Sequence, residues 1–477
     1  MPSRSRIALA FVIAMVAGSC AGPSNVGTTS RVNLTSCTVQ KIAARCGELS
    51  VPENPSAPSG RKITLRVVVL PAQSSDREPD PLFYLAGGPG GAATDSTAWA
   101  YSHFNLLNAH HDIVFIDQRG TGGSNQVNCS LTPTAPTEAA LAAAIGDCLK
   151  STKDKADPRF YTTPIAVDDF DLVRAALGYD KIDLYGGSYG VSSGLEYIQR
   201  HAAHVRTAIL ESGSLLDYHL WEQVPVSAQH SLDEVFARCA AEQACAAAYP
   251  NFKSDFATVT ALLARAPVRS QIVDPASGSF RSLDLATFLG FVVDDYLSDI
   301  RLVTSLPRDI HSAASGDWTA FMKLFTESAG ANSSTPIMFL TVICSDEWAK
   351  RDPTTIAAIG AGSAFTPMSI NGAAYSNAAC ALWPKAVGAS GPVNTSAPVV
   401  FLNGTADPAD PPANVAGAGL TMPNSLVVPV AGFGHGAIDQ DATSCLADKA
   451  VSFIELGRPS ALSSWGCPNL LPTFVTG

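Results

Sequence analysis

The sequence predicts an α/β fold: a mainly parallel central sheet with helices on both faces and a large, mostly helical cap inserted before its last strands. Three observations predict it. Short apolar runs bounded by Gly and Pro recur in both terminal portions with helical segments between them, as expected of strands buried on both faces. One such run, Lys181 to Tyr185, passes directly into Gly186-Gly187-Ser188-Tyr189-Gly190 and then into a helical pattern. Between about Leu215 and Ser396 the strand rhythm stops and alanine-rich amphipathic segments replace it.

The chain has 477 residues, 46% of them hydrophobic and only 15% charged, the balance of one large buried core with an insertion. A formal net charge of −11 disfavours nucleic acid, which calls for a basic face to neutralise phosphates. Arg4 and Arg6 precede the apolar run Ile7 to Gly18, too short for a hydrocarbon core that needs about 20 residues, so residues 1–20 read as an export signal. Cys20 follows small residues at the position where bacterial lipoproteins are lipidated. Ala17 stands where leucine is usual, so lipidation of Cys20 as a membrane tether and ordinary cleavage both stay open. The location expected is therefore the periplasm, the cell envelope or the exterior.

Residues 21–36 are small and polar and read as a flexible tether. Strands are expected at Ile63 to Leu70, Leu82 to Leu85, Ile113 to Ile116, Ile182 to Tyr185, Val205 to Leu210, Val399 to Leu402 and Leu426 to Val430, with a helix at Val167 to Leu177. The cap is expected to hold helices at Ser231 to Ala248, Asp255 to Ala264, Asp284 to Leu297 and Trp318 to Ser328. Ala357 to Ser390, rich in Gly, Ala and Ser, reads as loop. The division is then core 37–214, cap 215–396 and core 397–477.

Of 11 cysteines, setting Cys20 aside leaves an even number, which in an exported chain points to disulfides. The local pairings are Cys37 with Cys46, Cys129 with Cys148, Cys239 with Cys245, Cys344 with Cys380 and Cys445 with Cys467. None has metal-site spacing, and neither a metal nor a cofactor is expected.

The run into Gly186-Gly187-Ser188-Tyr189-Gly190 is a nucleophile elbow, a sharp strand-to-helix turn that exposes Ser188. A serine hydroxyl needs a base in reach and a third group to orient that base. Val399 to Leu402 leads into Asn403-Gly404-Thr405-Ala406-Asp407-Pro408, placing Asp407 after a strand; Asp410, three positions on, competes with it. Leu426 to Val430 leads into Ala431-Gly432-Phe433-Gly434-His435-Gly436, and among nine histidines only His435 follows a late strand in a glycine loop. Ser188, Asp407, His435 is the chain order of α/β-hydrolases. The oxyanion would be met by the backbone N–H of Tyr189 and by one from Ala86-Gly87-Gly88-Pro89-Gly90-Gly91, with Gly88 the choice. A phosphate loop is the alternative for these glycines, but the lysine it needs is missing.

Gly87-Gly88-Pro89-Gly90-Gly91, Asp117-Gln118-Arg119-Gly120-Thr121-Gly122-Gly123-Ser124 and Gly186-Gly187-Ser188-Tyr189-Gly190 together resemble the proline iminopeptidase and tripeptidyl aminopeptidase family of α/β-hydrolases. Length, export signal and cap resemble its secreted tripeptidyl aminopeptidase branch. The resemblance implies an exopeptidase acting on peptides with a free N-terminus, and a scaffolding role for Arg119. Many iminopeptidases carry histidine where this chain has Ala86, which weakens proline selectivity. Such an enzyme must bind an ammonium group, and Ile343 to Trp348 resembles a family segment with acidic residues. Asp346 and Glu347 are its candidates, with Glu211 in reserve, and a solvated acidic pair is the alternative. A carboxylesterase or lipase would use the same triad, whereas a catalytically silent envelope-binding protein would be expected to have lost it. The sequence leaves the oligomeric state open.

Overall fold

The computed structural model describes residues 31–129, 131, 137–273, 280–328, 335–459, 465–468 and 470–477. The export signal, Cys20 and the first part of the tether lie outside them. Its strands are β1 (Thr35–Val39), β2 (Ile42–Pro52), β3 (Lys62–Leu70), β4 (Leu82–Leu85), β5 (Ile113–Ile116), β6 (Ile182–Gly187), β7 (Val205–Glu211), β8 (Val268–Val273), β9 (Phe280–Leu283), β10 (Val399–Gly404) and β11 (Ser425–Val430). Nine form one sheet in the order β1-β2-β3-β5-β4-β6-β7-β10-β11. Pairing is parallel from β5 through β11 and antiparallel from β1 to β5.

The two-residue period of a strand explains why strands covered on both faces, such as β10 and the second half of β3, are apolar throughout. In β10, Val399 and Phe401 join the core on one face of the sheet while Val400 and Leu402 join that on the other. β3 divides in the same way, with Val67 and Val69 against Val68 and Leu70. The first face is covered by the helices Thr163–Leu177 and Tyr189–His201, the second by Thr97–His103 and Cys445–Leu456.

The expected tether runs too far. Val32 and Leu34 pack against the core, and β1 begins at Thr35, because these apolar residues and the Cys37–Cys46 bridge draw the segment into a hairpin with β2. The other four expected cysteine pairs are bonded as well.

Between β7 and β10 the chain leaves the sheet. Helices Leu220–Ala241, Phe252–Arg265, Leu285–Phe291 and Leu306–Ala314, with the β8–β9 hairpin, build a separate apolar cluster around Phe256, Phe288, Tyr296 and Phe321. Leu285–Phe291 continues as a π-helical turn, Val292–Leu297. Ala357 to Ser390 is not a loop: Pro353–Ile359 and Thr366–Leu382 are helices. Alanine is the strongest helix former. Asp352 caps the first helix through Thr354 N–H, and Cys380 ties the second to Cys344. Ala373 and Ala379 of the second helix are buried.

Arg119 has no exposed surface. It forms a bidentate pair with Asp169 (2.7 and 2.9 Å) and donates to the carbonyls of Glu53 and Phe160, both at 2.8 Å. The guanidinium therefore joins the turn after β5 to β2 and to helix Thr163–Leu177. Removing one partner of such a pair strands a buried charge. Arg119→Met should lower unfolding free energy by about 3–5 kcal/mol, read from the midpoint of a urea denaturation curve; a shift under 1 kcal/mol would contradict this role.

Candidate active site

Strand β6 lies between β4 and β7, with Leu85 opposite Gly186 and Gly187 opposite Glu211, so the loops leaving these three strands meet at one end of the sheet. Ser188 stands there at φ 57° and ψ −126°, a strained conformation for a residue with a side chain. The flanking glycines are steric necessities. A Cβ on Gly186 would overlap the Gly190 carbonyl oxygen, and one on Gly190 would overlap that of Leu85. Ser188 N–H is tied to the Glu211 carbonyl at 2.9 Å.

Strand β10 delivers Asp407 and β11 delivers His435. Asp407 is fully buried, and one carboxylate oxygen accepts from the backbone N–H groups of Ala409 (3.0 Å) and Asp410 (2.8 Å). The other lies 2.9 Å from His435 Nδ1. An ionised carboxylate only accepts, so Nδ1 carries the proton and Nε2 is left as the base. Ser188 and His435 line one cavity of about 410 Å³, together with Gly88 and Tyr189. Tyr189 also opens a helix, where its N–H has no intrahelical partner.

The insertion holds the histidine loop in place. The Ser298 carbonyl accepts from His435 N–H at 2.8 Å and from Gln440 Nε2 at 2.9 Å, while Gln440 Nε2 also reaches the His435 carbonyl. Gly434 is pressed so closely against Leu297 and Ser298 that a Cβ there would meet their carbonyl oxygens.

Burial acts against a charged imidazole, but Asp407, then Asp410 and Glu211, outweigh it and raise His435 to about 9. The same pairing keeps Asp407 below its ordinary value despite its burial. Asp410 sits 3.9 Å from His435 Nδ1 and is raised to about 7 by burial and by the charge of Asp407. It does not replace Asp407, because Ser214 and the Asp410 backbone hold it one step further back: Ser214 Oγ donates to Asp410 at 2.6 Å.

The three residues expected to bind an ammonium group are placed elsewhere. Asp346 is buried away from this cavity, and its oxygens accept from Ala389 N–H (2.7 Å), Thr163 Oγ1 (2.8 Å) and Trp348 Nε1 (3.2 Å). Its work is to fix Trp348, which does line the cavity. Glu347 faces a surface hollow and pairs with Lys350 at 2.8 Å. Glu211 is buried beneath the site, accepting from Tyr185 Oη and from Ile438 N–H at 2.6 Å, and so supports the segment after His435. Residues the sequence did not single out complete the cavity wall: Trp221 stacked on Trp348 at 5.9 Å, and the carboxylates Asp294, Asp299 and Asp439.

Two groups of described residues bring three candidate metal-ligand atoms within 4.8 Å of one another. In Asp80, His111 and Asp183, Arg206 pairs with both carboxylates, at 2.6 and 2.8 Å. The other group is Asp407, Asp410 and His435, already engaged as described. Among the described residues no helix is long and apolar enough to cross a membrane.

A family model described as alpha/beta hydrolase fold matches residues 80–442. The chain is 30% identical over 197 residues to the tripeptidyl aminopeptidase of Streptomyces coelicolor, a match covering 35% of each chain. It is 28% identical over 193 residues to serine protease Hip1 of Mycobacterium tuberculosis, again 35% of each. The matched region thus spans about a third of the length of these curated relatives. A crystal structure of proline iminopeptidase from Mycobacterium smegmatis aligns over 87% of this chain and 100% of its own, with 16% identity and a TM-score of 0.41.

A protonated His435 cannot accept the serine proton, so Ser188 should become reactive as pH rises through the value of about 9 set by its anionic neighbours. Labelling of Ser188 by a fluorophosphonate should therefore climb to an alkaline plateau. Removing a neighbouring negative charge withdraws support from the imidazolium, so Asp410→Asn should move this limb to lower pH. A wild-type limb at or below about 6.5, the ordinary histidine value, would mean that the carboxylates do not hold the charge.

Proposed function

We propose, for a chain that belongs to the alpha/beta hydrolase fold family, that it is an exported serine exopeptidase cleaving peptides near a free N-terminus. The observation that carries this reading is one cavity lined both by Ser188, on a strained elbow, and by a histidine held by a buried aspartate. Hydrolysis at a free chain end is favoured by the enclosure. The helical insertion contributes Trp221, Trp348 and the turn from Val293 to Asp299 to the wall, and a cavity of about 410 Å³ admits a short peptide end rather than a folded chain. The relatives named tripeptidyl aminopeptidase and serine protease support peptide over ester as the substrate. The five disulfides support an oxidising, extracytoplasmic location.

In this reading Ser188 Oγ adds to the scissile carbonyl carbon as His435 Nε2 takes the hydroxyl proton. Asp407 stabilises the resulting imidazolium and keeps its Nδ1–H turned inward. The Gly88 and Tyr189 N–H groups receive the oxyanion, which collapses as His435 passes its proton to the leaving amine. Water then enters. His435 removes one of its protons, the hydroxide equivalent attacks the acyl-enzyme, and the serine oxygen leaves with the proton.

Tripeptidyl and aminoacyl chromogenic amides, each with a free or acetylated α-amine, test the proposal alongside a short-chain ester. Turnover should require the free amine and fall by about 10⁴-fold or more in Ser188→Ala. Equal cleavage of blocked amides would overturn the exopeptidase assignment, and ester turnover without amide turnover would make the protein an esterase.

A further inference from the structure

The cavity beside Ser188 and His435 is lined by four carboxylates, and three are already committed. Asp299 and Asp439 share Arg301, at 2.6 and 2.9 Å. Asp410 accepts from Ser214, which Asn414 supports in turn at 2.8 Å. Asp294 differs. Among the described residues its side chain has no hydrogen bond or ion pair, and the groups that act on its charge are Asp295, which disfavours it, and His435, which favours it. Arg301, the cavity's guanidinium, is engaged elsewhere. The site therefore holds an uncompensated anion within the electrostatic reach of its general base.

Where Asp294 sits is fixed by the contact that fixes the base. It belongs to the π-helical turn Val292–Leu297, whose Val293 carbonyl accepts from Ser298 Oγ at 2.8 Å. Ser298 is the residue whose carbonyl receives His435 N–H. A single short backbone segment thus carries the unpaired carboxylate and sets the position of the histidine loop, which makes the separation between carboxylate and base a built-in length.

We propose that Asp294 holds the α-ammonium group of the substrate, an assignment that rests on the aminopeptidase reading above. An ammonium supplies both the charge and the hydrogen-bond donors that this carboxylate lacks. With the amine held there, the acyl part must span the distance from Asp294 to Ser188, and the Trp221–Trp348 wall lies alongside to take its side chains. The ligand class is a short peptide end with a free amine. Desolvation at the cavity wall and the charge of Asp295 lift the Asp294 carboxyl to about 6, so near pH 7 it is ionised while a peptide α-amine, with an ordinary value of about 8, is still largely charged.

The test uses the full protein with a tripeptidyl amide and its des-amino analogue, in which hydrogen replaces the α-amine. In wild type the amine-bearing substrate should have the lower KM. In Asp294→Asn that KM should rise by about ten- to a hundredfold, with kcat changed far less and the des-amino KM unmoved, so that the preference for the amine collapses. Asp294→Glu should keep part of the preference, and Asp294→Ser, matched to wild type in thermal unfolding, guards against a folding defect in the Asn variant. A wild type that prefers the amine and folded variants that prefer it equally would overturn the assignment to Asp294 alone. A wild type indifferent to the amine would overturn the aminopeptidase reading, and this inference with it.

Discussion

The docking of the inserted segment on the histidine loop is the constraint from which the rest of the site follows. The Ser298 carbonyl accepts the His435 backbone N–H and the Gln440 amide, and Gly434 lies against Leu297 and Ser298 with no room for a side chain. These contacts use backbone groups of the insertion and join segments more than 130 residues apart in sequence, as the bond from Ile300 N–H to the Gln440 side-chain Oε1, spanning 140 positions, illustrates. Without them, the glycines that let the loop after β11 reach inward would also let it wander. The loop is permissive because of its sequence and ordered because of its partner.

The same coupling organises the electrostatics. His435 is raised because buried carboxylates surround it, and each is held by its own hydrogen bonds: Asp407 by the backbone after it, Asp410 by Ser214, Glu211 by Tyr185 and Ile438. An imidazolium is the charge that would form when the serine gives up its proton in the proposed reaction, and this environment favours that charge. Around this centre the sheet supplies rigid anchor points. Strands β4, β6, β7, β10 and β11 are adjacent and parallel, so five loops converge at one end of the sheet.

Much of the fold was legible in the chain. Strands that are apolar on both faces have no polar face to disguise them, and β3 to β7, β10 and the apolar edge strand β11 were each readable within a residue or two. The β1–β2 hairpin was not, because TSCTV is mostly polar and IAARCGELSVP mixes small, polar and charged residues over a partly exposed strand, and their order depends on pairing with β3 and on a disulfide. The stretch Ala357 to Ser390 was misread because small residues fit loops and tightly packed helices equally well, and only a packing partner distinguishes them. Asp346 and Glu347, adjacent in sequence, point to different surroundings: one is buried under Trp348, the other pairs with Lys350. Neither fate is written in the dipeptide.

The sequence by itself determined the pieces whose chemistry is local. An elbow needs glycine at two positions for steric reasons, an acid and a histidine must follow late strands, and cysteines close enough in sequence find each other; all of these are read from residue type and short spacing. Only the tertiary structure decided which carboxylates face the cavity and which are consumed in holding it. That outcome depends on whether another donor, brought in from a distant part of the chain, reaches the carboxylate before a ligand can. For Asp346, Glu211 and Asp410 such a donor exists. For Asp294 none of the described residues provides one.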